Sequence, residues 1–180
     1  YCLSKYILFV GPRFVYKNFK YLVEDIQGLL KNDSSLYLVC AGGGKFSKTE
    51  KKYFADLKLS KQIIQIDFKE NELGLIYKKA ICFVFPSIYE GFGIPVLESM
   101  SCGCPVILGR HSSFPEVAGD AGVYFDLNSS GDLAKKIDLL INNSTLRNEY
   151  SLKGLIQIKK FNWQTASQEC LDVYKKAYCK

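Results

Sequence analysis

Short apolar runs alternate with amphipathic stretches along this chain, and the alternation predicts its elements. Tyr6-Ile7-Leu8-Phe9-Val10 is continuously apolar, as a strand buried on both faces of a parallel sheet should be. Similar runs at 36–40, 63–66, 81–85, 105–108 and 122–125 predict five more strands. Between the first two, Phe19, Leu22, Val23, Ile26, Leu29 and Leu30 form the stripe of a helix over 18–31, with Asn18 as its N-cap. Further helices are expected over 47–58, 72–80 (capped by Asn71), 95–102, 131–142, 145–159 and 163–178. Ser113 and Glu116 have the spacing of a capping box and predict a short helical turn. Strands of four or five residues alternating with helices mean an α/β fold, a doubly wound, six-stranded, Rossmann-like parallel sheet of order 3-2-1-4-5-6. Ligands of such sheets bind beyond the carboxyl ends of the strands, where the order reverses.

The stretch between the fourth strand and the next helix carries the most chemistry. Pro86 ends the apolar run, because it cannot donate to a ladder. Gly91 and Gly93 then permit a tight loop, and Pro95 suits the first turn of a helix. A strand, a glycine-bearing loop and a helix N-terminus point free N–H groups and a positive dipole end at one spot, which suits a phosphate. Two carboxylates frame it, Glu90 before the loop and Glu98 in the helix. A carboxylate placed like Glu98 can accept both hydroxyls of a ribose. The spacing alone is equally compatible with Glu98 serving only the helix dipole and Glu90 being only solvated. The loop after the first strand adds Arg13 and Lys17, so a guanidinium, an ammonium and a helix N-terminus are expected to converge.

Composition narrows the class. At 180 residues the chain fits one domain and can bury roughly 70% of its unfolded surface without staples. No apolar run is long enough to span a membrane, and the first residues carry no secretory leader pattern. The chain starts directly on a strand pattern, as expected of a piece of a longer protein. Its 7 cysteines are odd in number, and Cys40 and Cys82 fall in buried strands, which fits a reducing cytosol. With a single histidine, His111, and no Cys-x2-Cys pair, a zinc site is not expected. The net charge of +6 comes mainly from lysine, with a cluster at Lys45, Lys48, Lys51, Lys52, Lys58 and Lys61. That cluster reads as a solvated helix face, or as a surface attracted to anionic headgroups. Nucleic acid is not expected, since no aromatic residues interleave with the basic ones.

With these residues in hand, the chain resembles the C-terminal, donor-binding half of a retaining GT-B glycosyltransferase of the "glycosyl transferases group 1" family. The stretch ILFVGPRFVYKNF matches the family's opening strand and its Arg and Lys, and LYLVCAGGG matches the second strand with its glycines. EGFGIPVLESMSCGCPVI is similar to the Glu-x7-Glu signature, SSFPEVAGDAGVYFD to the block after it, and FNWQTASQECLDVY to the C-terminal helix. The resemblance implies transfer of a hexose from a nucleotide diphosphate sugar, with retention, to a polysaccharide or lipid-linked acceptor. Arg13 and Lys17 would clamp the diphosphate and Glu98 would hold the ribose. Glu90 would face the donor sugar, and backbone groups of Gly91, Phe92, Gly93 and Ile94 would hold sugar and diphosphate. Ile66 and Phe68 would border the base, although Ile66 reads equally well as core.

The implied donor is GDP- or UDP-linked, with no other cofactor. The form GPRFVYKNF is similar to mannosyltransferases of surface-polysaccharide synthesis, which makes GDP-mannose the first expectation. No Asp-x-Asp occurs in the chain, in keeping with a family in which protein cations neutralise the diphosphate, so no metal is expected. The family's enzymes also need an N-terminal acceptor domain, so residues 1–180 alone are expected to bind donor and turn over little. The C-terminal helix would expose apolar surface toward that domain. A cytoplasmic location, with peripheral association at the inner membrane face, goes with a lipid-linked acceptor. Two other readings share the fold: a non-catalytic nucleotide-binding module, and a nucleotide-sugar epimerase, which should add more acid and histidine chemistry than a single His111.

Overall fold

The computed structural model describes residues 5–178. Six strands, β1 (Tyr6–Val10), β2 (Tyr37–Ala41), β3 (Ile63–Ile66), β4 (Cys82–Phe85), β5 (Val106–Gly109) and β6 (Gly122–Phe125), form one sheet of order β3-β2-β1-β4-β5-β6. Every pairing is parallel, and the reversal of order falls between β1 and β4, where Ile7 lies opposite Cys82. The helices are α1 (Phe19–Asn32), α2 (Lys48–Asp56), α3 (Leu73–Lys79), α4 (Ile94–Ser101), α5 (Phe114–Ala118), α6 (Asp132–Asn142), α7 (Ser144–Gln157) and α8 (Trp163–Tyr178). Strand and helix bounds differ from the sequence pattern by a residue or two, as fraying ends do.

Strand side chains alternate between two cores, as the pleat requires. Ile7, Phe9, Leu38, Cys40 and Val84 face α1, α2 and α6. Leu8, Val10, Val39, Phe83 and Phe85 face α3, α4 and α5. Cys40 and Cys82 are fully buried among these apolar neighbours, which pushes the Cys40 and Cys82 thiols up.

Two expected caps are absent. Asn18 does sit before α1, but at φ 55° in the left-handed region, and its side chain accepts no cap hydrogen bond. It ends the short 3-10 turn Val15–Lys17 instead, a conformation asparagine tolerates. Asn71 lies inside a second 3-10 turn, Glu70–Glu72, and Glu72 occupies the N-cap position of α3. One cap comes from far away in sequence. Asp25 on α1 accepts from the N–H groups of Gly131 (2.7 Å) and Ala134 (2.8 Å), covering the free donors at the start of α6. Asp25→Ala is therefore expected to lower stability by about 1–2 kcal/mol, the range for a lost cap, in urea unfolding. An unchanged urea midpoint would show that water replaces this carboxylate without loss.

Candidate active site

The loop after β1 (residues 11–18) and the loop after β4 (residues 86–93) leave neighbouring strand ends and meet, with Ile88 N–H donating to the Tyr16 carbonyl at 2.8 Å. Lys17 and Glu90 form an ion pair across this seam, Nζ to Oε1 2.6 Å, with side chains only 11% and 15% exposed. The ammonium also stands 4.7 Å from the centre of the Phe85 ring, at the end of β4. Three residues after Glu90, Gly93 takes φ 100° and turns the chain into α4. Pro95 lies in the first turn, where its missing N–H costs nothing. A buried cation, an acid and a helix N-terminus thus meet at the switch point of the sheet.

The loop that carries Glu90 has no regular structure of its own and is held by three consecutive side chains after β5. His111 Nε2 bonds the Ser87 carbonyl at 2.9 Å, so this nitrogen carries the proton. Ser112 Oγ donates to the Glu90 carbonyl (2.6 Å) and accepts from the Glu90 N–H (3.2 Å). Ser113 Oγ donates to the Phe92 carbonyl at 2.8 Å. The capping box expected of Ser113 and Glu116 does not form. Ser113 has αR backbone angles, and its hydroxyl goes to the loop carbonyls rather than to its own helix. Ser112 holds a left-handed φ of 56°, a strain that its two bonds to Glu90 offset.

A capping box does form at Ser47 and Glu50, at the start of α2. Its spacing is equally plain in the sequence, within what reads there only as a lysine-rich helix. Glu50 reaches one residue further: its Oε1 accepts from Arg13 Nε at 2.6 Å. Burial pushes the Glu50 carboxyl up, but the bonds from Arg13 and Ser47 outweigh it and hold it below the usual carboxylate range. The other Arg13 donors face the carbonyls of Gly44 (3.0 Å), Gly42 and Lys45 (both 3.4 Å), and its guanidinium lies 4.8 Å over Phe46. The Arg13 side chain is thus 6% exposed and bonded to Glu50 and to the loop after β2, while Lys17 pairs with Glu90.

The remaining expected residues line two separate grooves. Phe92, Ile94 and Glu98 border one of about 460 Å³, closed on the far side by Phe161 and Trp163. Glu98 is half-buried there, and its Oε2 accepts from the hydroxyl of Tyr77 at 3.1 Å. Ile66 and Phe68 border a second of about 310 Å³, with Asp67 and Glu72 at its rim. Ile66 belongs at once to the core and to this wall. Gly91 is exposed in the loop between Glu90 and Phe92. Among the described residues no three His, Cys, Asp or Glu side chains gather as a metal would need, and no helix is long and apolar enough to cross a membrane.

The sequence that builds this sheet and seam matches the family model for glycosyl transferases group 1 over residues 4–155. The chain belongs to that family. This group 1 chain is 39% identical over 106 residues to O-antigen chain mannosyltransferase B of Escherichia coli, a match covering 59% of this chain and 28% of that protein. Its fold superposes on the C-terminal domain of a glycosyl transferase group 1 family protein, LpcC, from Francisella tularensis. The TM-score there is 0.75 at 29% identity, over 87% of this chain and 85% of that one. The Anabaena protein HepE, solved in complex with UDP and glucose, shares the fold at a TM-score of 0.81 and 16% identity, over 96% of this chain and 48% of its own. The solved neighbours are GT-B glycosyltransferases, so the group 1 chain has the sheet of one half of that fold. It spans less than half the length of the curated relatives it matches.

Proposed function

We propose that this chain is the donor-binding half of a retaining glycosyltransferase that moves a hexose, mannose first among candidates, from a nucleoside diphosphate sugar to a polysaccharide or lipid-linked acceptor. The observation that carries the reading is the Lys17–Glu90 pair at the switch point, beside the N-terminus of α4. Cleaving the sugar–phosphate bond leaves charge on the departing diphosphate. In this reading Lys17 and the N–H groups of Gly93 and Ile94 stabilise that charge. Glu90 accepts hydrogen bonds from the donor sugar, and Glu98 from the ribose. Ile66 and Phe68 border the base. Arg13 acts through the 42–45 loop that it fastens. GDP and UDP both stand as candidates for the nucleotide.

Helix α8 has no buried residue, and Trp163, Val173 and Tyr174 are 79%, 63% and 72% exposed. An acceptor domain covering that face is the partner this reading calls for. The exposed lysines of α2 are the part of the surface suited to an anionic membrane.

Calorimetric titration with UDP, GDP, ADP and CMP, without metal, tests the reading. Saturable binding of one diphosphate is expected and names the base. If none binds, the titration is repeated on a protein that joins this chain to its acceptor domain, and failure there rejects the donor site. Transfer by such a protein is expected to persist in excess chelator, since protein cations carry the neutralisation; its loss would refute that assignment.

A further inference from the structure

Tyr77 lies on α3, on the far side of Glu98 from the cleft. It is the largest fully buried side chain among the described residues, and its ring meets Phe83 edge to face at 5.3 Å. A buried phenol usually has a hydrogen-bond partner. Its partner is the carboxylate of Glu98, Oη to Oε2 3.1 Å. Burial, then the nearby Glu98 charge, push the Tyr77 hydroxyl far above its ordinary range. As a protonated phenol it donates to the Glu98 carboxylate.

The consequence for Glu98 is geometric. A glutamate in a helix has three side-chain torsions and, half-exposed, samples several rotamers. Tyr77 fixes one of its oxygens from the buried side. The other oxygen, Oε1, has no hydrogen-bond partner among the described residues and is left for a ligand in the groove of Phe92 and Ile94. We infer that Tyr77 is a positioning residue for nucleotide recognition: it holds the Glu98 carboxylate in the one orientation that accepts a ribose hydroxyl pair. This rests on the proposed ribose role of Glu98.

The test measures selectivity rather than affinity. GDP and UDP, each with its 2′,3′-dideoxy counterpart, are titrated into the wild type, Tyr77→Phe, Glu98→Gln and the double variant. Pre-ordering one flexible side chain corresponds to about a three- to tenfold effect. Tyr77→Phe is expected to cut the preference for the ribonucleotide by that factor while leaving dideoxynucleotide affinity unchanged. In the Glu98→Gln background the same change should have no effect. Equal weakening of both ligands by Tyr77→Phe, or an unchanged preference, overturns the inference while the Glu98 reading stands. A wild type without any preference removes both. Should Tyr77→Phe fail to fold, the ¹³Cζ resonance of Tyr77 in the wild type decides. It is expected to move on binding the ribonucleotide and not its dideoxy form, and equal movement with both would refute the role.

Discussion

Substitutions at the two ends of the Lys17–Glu90 pair are expected to change nucleoside diphosphate affinity in opposite directions. Lys17→Ala removes a charge-assisted donor, an effect of about 1.5–3 kcal/mol, or on the order of 10- to 150-fold in the dissociation constant. Glu90→Gln removes a negative charge from beside the expected diphosphate and frees the ammonium, so binding of the bare diphosphate should tighten severalfold. Sugar transfer by the complete enzyme should nevertheless fall, because a neutral amide accepts more weakly from the donor sugar's hydroxyls than a carboxylate does. Stability separates the two ends again. With the pair 11% and 15% exposed, Lys17→Ala strands a carboxylate with little water around it and should cost about 2 kcal/mol. That lies between the values for exposed and fully buried pairs. Glu90→Gln strands a cation that can still rest on Phe85, 4.7 Å away, and should cost less. Calorimetry and urea unfolding of both variants measure these effects. If Glu90→Gln weakens diphosphate binding as much as Lys17→Ala does, the acid is itself an anchor and the assigned roles are wrong.

Gly43→Ala is expected to be the most damaging single methyl in the loops around the seam. Gly43 has φ +70°, and a Cβ there would stand 2.4 Å from the Gly11 carbonyl oxygen and 2.9 Å from Arg13 Nη1. The first neighbour is backbone, held in place by the Gly11 N–H bond to Ala41, so it cannot simply turn away. Left-handed backbone costs alanine about 1–2 kcal/mol, and forced separation of the two loops adds a similar amount, about 3 kcal/mol together. Gly44→Ala is the control: its φ is +75°, yet nothing lies within 4 Å of its would-be Cβ. It should show the backbone cost alone in the same urea series. Equal losses for the two variants would mean that the close approach of Gly11 and Gly43 adds no strain.

The sheet was legible because its signal is periodic. Continuous apolar strands such as Tyr6–Val10, separated by helical stripes, allow little other than a doubly wound order, and β3-β2-β1-β4-β5-β6 follows. The meeting of the loops after β1 and β4 was legible one step later, because neighbouring strands bring their loops together; the ion pair of Lys17 with Glu90 across them was not. Contacts that depend on a single side chain crossing between elements leave no such trace. Nothing in the spacing of Arg13 tells that Glu50, 37 residues on, will take its Nε. The hydroxyl of Ser113 has a local use and a distant one, and only the folded loop shows that the distant one wins. Tyr77 reads as one more apolar position of a helix, and only its neighbour across the α3–α4 contact shows why a phenol stands there rather than a phenylalanine.

Asp25 also orders events in time. Its carboxylate caps a helix whose donors lie 106 and 109 residues further along the chain. At about 5–20 residues per second, a ribosome delivers Ala134 about 5–20 s after Asp25. During that interval β1, β2 and β3 can pair while the carboxylate stays in water and the far edge of the sheet does not yet exist. The lock between α1 and α6 can close only after β6 has emerged, so the nascent chain completes its two faces from the centre outward.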